Sequence, residues 1–168
     1  MSDYEIDICV QDNRWAELSD LQGLSERAIA GAMTQCQPKP FSELSLAFVS
    51  DIQMQSLNQQ YRNIDAPTNV LSFPAQNGPT QNGSANHSAE FSPLLGDIVF
   101  AFDTITAQAS AQEILIKNHL SHLIVHGFLH LQGYDHEDPK DADIMESLET
   151  QILADLGISD PYANERIL

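Results

Sequence analysis

The chain has 168 residues, 42% of them apolar, with seven basic residues against 24 acidic ones and a formal net charge of −17. That length suffices for one domain, 1–168, whose core needs neither disulfides nor a structural metal. The composition excludes a membrane span, since no apolar run approaches about 20 residues, and it excludes nucleic-acid binding by broad phosphate neutralisation, which needs cations to displace counterions.

The opening MSDYEIDICV has no basic segment and no apolar signal core, so a cytoplasmic location is expected. Cys9 and Cys36 lack a CxxC partner and read as reduced thiols. Tyr4–Val10 alternates apolar with acidic residues, the pattern of a strand with one wet face, and Asp12–Asn13 break it. Ser19–Gln35 carries Leu21, Leu24, Ala28, Ile29, Ala32 and Met33 at helical intervals behind a Ser19 or Asp20 cap, and Pro38 and Pro40 follow its end. Glu43–Ser50 reads as a second strand and Asp51–Tyr61 as a short helix.

Val70–Phe73, closed by Pro74, is a short third strand. The stretch from 75 to 93 is rich in Asn, Gly, Ser, Gln and Pro and reads as a mobile polar surface loop, with His87 solvated within it. LLGDIVF, Leu94–Phe100, is a fourth strand. Thr104–Leu131 is helical, in two pieces meeting near Ile116–Asn118. A last helix over Lys140–Leu156 places Ile144, Leu148, Ile152 and Leu156 on one stripe and stops at Gly157. Short strands interleaved with helices give an α/β (α+β) class, a small mixed sheet covered by helices.

The segment HGFLHLQGYDH carries the chemistry. Residues four apart on a helix differ by roughly 40° around its axis, so His126 and His130 project side by side. Gly133 stands where a helix is commonly ended by a left-handed residue, and the returning chain brings in His136. Three nitrogens leave one corner of a tetrahedral zinc ion open, the arrangement of a catalytic site; imidazoles also suit nickel and copper. His119 and His122 read as packing groups or as groups behind the ligands. The spacing matches the zinc-protease pattern HExxHxxGxxH except that Gly127 replaces the general-base glutamate, which removes the usual peptide-cleaving chemistry. Asp135 is open between orienting a ligand imidazole and capping the helix end, and Asp97 between a contact near the site and a turn. Met145 is expected to face the core.

HGFLHLQGYDH, with NQQYRNIDAPTNVLSFP and LLGDIVF before it and the stretches from Asp141 to Glu149 and GISDPY after it, resembles the YbeY endoribonuclease family, also described as ribosomal RNA maturation factors. The resemblance implies a mixed four-stranded sheet, a zinc ion on His126, His130 and His136, and a functional arginine at Arg62. It further implies single-strand-specific cleavage in 16S ribosomal RNA 3′-end maturation, ribosome biogenesis and quality control, with single-stranded RNA and the small ribosomal subunit or its proteins as partners; neither membrane nor DNA is expected. Arg62 offers a planar, permanently charged fork suited to a phosphate, the alternative being a loop anchor to Asp65. Two other readings remain: a non-catalytic ribosome assembly factor with structural zinc, and a metalloprotease lacking the usual glutamate base.

Overall fold

Alternating burial decides the strands. In the computed structural model, which describes residues 3–75 and 94–163, β1 spans Glu5–Val10, β2 Glu43–Val49, β3 Val70–Pro74 and β4 Leu94–Ala101. Along β2, Leu44, Leu46 and Phe48 are completely buried on one face of the sheet, and Ile98 and Phe100 of β4 join them there. Ser45, Ala47 and Val49 point to the other face with Asp97 and Val99, as the two-residue period of a strand requires. The strand order is β1-β2-β4-β3. β1, β2 and β4 run parallel, and β3 pairs antiparallel with β4 at the edge, Leu71 opposite Val99. Pro74, which has no N–H for a ladder, sits at the end of that edge strand. The mixed four-stranded sheet agrees with the sequence reading; of the expected 75–93 loop, all but Ala75 lies outside the described residues.

Five helices complete the fold: α1 Leu21–Gln35, α2 Asp51–Arg62, α3 Phe102–Ala111, α4 Ile116–Leu131 and α5 Pro139–Asp155. Local chemistry sets their ends. Asp20 caps α1 through Gly23 N–H at 3.1 Å. Ser50 and Gln53 form a reciprocal capping box at the start of α2, each side chain accepting the other's backbone N–H. Gly157, at φ 78°, ends α5.

Three details differ from expectation. A 3-10 turn over Asn13–Glu17 follows β1, and it exists to bury Trp15, whose indole N–H donates to Val49 O at 2.9 Å. The break between α3 and α4 falls at residues 112–115, slightly earlier than the sequence placed it, where Glu113 adopts a left-handed φ of 57°. The buried stripe of α5 is Met145, Glu149, Ile152 and Leu153; Ile144, expected in it, is half exposed at 50%. Met145 does face the core, at 1% exposure.

The main core lies between the Leu44–Ile98 face of the sheet and helices α1, α4 and α5. On the opposite face Met54 of α2 packs with Val49, Leu71, Val99 and Ala101 in a much smaller cluster. No helix among the described residues is long and apolar enough to cross a membrane.

Candidate metal centre

Helix α4 packs on the sheet through Leu120, Ile124 and Phe128, all fully buried. Gly127 lies on this packed side. A Cβ there would stand 2.7 Å from Ile98 Cγ2 and 3.1 Å from Ser72 Oγ, closer than such atoms approach. Ser72 Oγ instead donates to the Gly127 carbonyl at 3.3 Å. A side chain at the position that holds glutamate in the zinc-protease pattern would therefore have to displace the buried Ile98.

His126 and His130 are half-buried one turn apart, their Nε2 atoms 3.1 Å from each other. Beyond Leu131 the helix closes with Tyr134 N–H donating to Leu129 O at 3.0 Å and Gly133 N–H to His130 O at 3.0 Å. This is the paired C-terminal bond pattern that a left-handed residue allows, and Gly133 has φ 100°. The reversal brings the exposed His136 back to the other two. One nitrogen from each of the three rings lies within 4.8 Å of the others. Tetrahedral zinc, with Zn–N of about 2.0–2.1 Å, holds its nitrogens about 3.4 Å apart, so the cluster fits such an ion with small ring movements.

The donor chemistry fits as well. Glu149 Oε1 lies 2.5 Å from His126 Nδ1, so that nitrogen carries the proton and Nε2 presents its lone pair toward His130. Burial lowers the His130 pKa, helped by the neighbouring His126 and His136, which favours the neutral, ligating form. Glu149 itself is completely buried. Burial pushes its pKa up, but hydrogen bonds from His122 and His126 outweigh that and hold it down at about 2. Its second oxygen accepts the Tyr162 hydroxyl and lies 3.1 Å from His122 Nε2.

His122 thus stands behind the cluster, sharing a carboxylate with His126, as a supporting group. His119 packs inside, at 5% exposure, with its Nε2 donating to Gln108 Oε1 at 2.9 Å, an oxygen that also accepts from Asn69. Burial and the nearby His122 lower its pKa to about 4. Asp135 accepts the His136 backbone N–H at 2.7 Å, which places it in the turn, and its charge lies close enough to the His130 ring to oppose the lowering of that ring's pKa. Asp97 lies mid-strand on the sheet face away from α4.

Arg62 is the last residue of α2, the helix whose Met54 packs on the sheet face away from α4. It is exposed. Its alternative partner, Asp65, accepts instead from Gln55 Nε2 at 2.9 Å. Lys39 lies beside the turn that leads to His136: the buried Gln132 clasps its backbone through N–H at 2.7 Å and C=O at 3.4 Å, and a Cβ on Gly133 would sit 3.5 Å from Lys39 Nζ.

The sequence reading missed Glu149 and Tyr162. Glu149 did leave a signal, a carboxylate four residues after Met145 and three before Ile152, at a core position of an amphipathic helix. Tyr162 left none beyond its place in GISDPY.

Fold and cluster together define a small α/β protein with a three-histidine metal-type centre at the end of a sheet-packed helix. Comparison with known proteins narrows this. Residues 7–157 match the family described as Endoribonuclease YbeY. A relative of that name from Allorhizobium ampelinum is 42% identical over 171 residues, covering 98% of both chains. Another from Sinorhizobium fredii is 43% identical over 172 residues, covering 98% of this chain and 95% of the relative. The solution structure of TM1509 from Thermotoga maritima shares the fold, with a TM-score of 0.55, 22% identity, and coverage of 94% of this chain and 98% of that one. The chain belongs to the YbeY endoribonuclease family.

Proposed function

We propose that this chain is a metal-dependent endoribonuclease that cuts single-stranded RNA, acting in the cytoplasm on 16S ribosomal RNA in 3′-end maturation, ribosome biogenesis and quality control. The observation that carries the reading is the convergence of His126, His130 and His136 with His136 exposed, which leaves the centre approachable from one side. Family membership supports RNA as the substrate. Zinc bound there would supply a Lewis acid for a phosphoryl oxygen and a source of hydroxide near neutral pH.

The protein's own part is to hold and to steer. His126, His130 and His136 are the ligands, and Glu149 keeps His126 in the ligating tautomer. Steering depends on very few cations. Arg14 is committed to Asp12 and Asp103, Arg27 to Asp20, and Lys117 to Ser19. Among the described residues Lys39, Arg62 and Lys140 have side chains with no hydrogen bond or ion pair, which leaves them for phosphates. Arg62 binds a phosphate of the RNA strand. A single strand suits such a contact because its backbone bends without melting a helix. So small a cationic footprint makes cleavage of free RNA slow and salt-sensitive, and faster on small-subunit particles, where a partner supplies the missing charge.

Cleavage of a single-stranded RNA by wild type and Arg62→Glu, with zinc content measured on both, tests the reading. The variant should lose cleavage while zinc content and melting temperature hold. Undiminished cleavage by Arg62→Glu would remove Arg62 from the site, and undiminished cleavage by His130→Ala or by chelator-treated protein would overturn the whole proposal.

A further inference from the structure

Among the described residues Glu149 is the only buried carboxylate. A buried charge costs several kcal/mol unless its oxygens are satisfied, and here three donors converge on it, two from α4 and one from the turn after α5. Oε1 takes the Nδ1 proton of His126. Oε2 accepts the Tyr162 hydroxyl and stands 3.1 Å from His122 Nε2, which is itself 3.2 Å from that hydroxyl. Tyr162 reaches this place because the chain turns back after α5: Asp160 Oδ1 accepts the Tyr162 backbone N–H at 2.9 Å and the Thr150 hydroxyl at 3.2 Å, which pins the turn to the helix.

A carboxylate held by one oxygen swings about its last bond; one held by both has a fixed plane. From this geometry we infer that Tyr162, on the turn at residues 160–162, is a latch that sets the metal affinity of the histidine cluster. Tyr162 and Glu149 are positioning residues. With Oε2 anchored, Oε1 fixes both the tautomer and the tilt of His126, and so aims its Nε2 at the point shared with His130. Released from Tyr162, Glu149 turns toward His122 alone, and His126 loses its orientation although its Nε2 remains. The inference rests on the reading that the three histidines hold a metal, and it assigns the strength of that hold to a segment 26 to 36 residues from the ligands in sequence.

The test measures zinc dissociation constants by competition with a chelating dye at fixed neutral pH, on full-length wild type, Tyr162→Phe, Glu149→Gln and, as a control hydroxyl on the other sheet face, Tyr61→Phe. Glu149→Gln should weaken binding about 10- to 100-fold, the range for groups that orient a ligand. Tyr162→Phe should weaken it about fivefold, the weight of one hydrogen bond, with a changed visible spectrum in the cobalt-substituted protein. The melting temperature of metal-free Tyr162→Phe should match wild type, which separates orientation from a merely structural role. Tyr61→Phe should match wild type throughout. Wild-type affinity and cobalt spectrum in Tyr162→Phe would overturn the latch and leave the metal centre standing, and this variant decides the matter even if Glu149→Gln fails to fold. Wild type that takes up no zinc would overturn both.

Discussion

The two faces of the sheet are built to different standards. The α4 face is closed by three helices over fully buried Leu44, Leu46, Phe48, Ile98, Phe100 and Phe128. The α2 face has a small cluster around Met54 and, beside it, a groove of about 1020 Å³ lined by residues such as Ser45, Ala47, Asp97, Tyr61 and Phe73. His126 and His130 stand on the helix that belongs to the closed face, and His136 follows on the turn that ends it. Ligands must be held within a fraction of an ångström, and only packed neighbours fix rotamers to that degree.

The contrast can be broken most sharply at Phe128. Truncation to Ala on the closed face should cost about 3–5 kcal/mol by chemical denaturation; a cost below 1 kcal/mol would mean that α4 is not seated as described. Acid offers the next largest effect. The folded pKa of His119, about 4, lies below its ordinary value of 6.5, so as pH falls the unfolded chain takes up the proton first. Its contribution is complete above pH 6.5 and is lost between 6.5 and 4, up to about 3 kcal/mol. Denaturation curves across that window should be shallower in pH for His119→Leu than for wild type, and parallel curves would deny His119 its buried, neutral state. The smallest effect belongs to the open face. Ile52 is 79% exposed, and Ile52→Ser should change stability by no more than about 0.5 kcal/mol; a larger loss in the isolated protein would show that this face is more closely packed than the contrast allows.

Legibility in the sequence followed the same division between local and distant causes. His126, His130 and His136 were readable because their convergence depends on one helical turn and one glycine, all within eleven residues. The strands were readable from alternation, and only their ends moved. What could not be read was decided by partners far along the chain. Glu149 belongs to His126 only once α5 lies against α4, and Ile144 lost its place in the buried stripe because the same docking turned Met145 and Glu149 inward. Trp15 is a milder case. A turn of five residues has no period to detect, yet the only tryptophan in the chain, in a segment otherwise polar, marks a place that must be covered.

Gly127 alters how the missing glutamate is understood. Because Ile98 and Ser72 crowd the space where its side chain would begin, restoring a carboxylate there means displacing packed side chains between the sheet and the helix that carries His126 and His130. A selection experiment seeking peptidase activity should find its new base entering from a different strand or helix rather than at Gly127.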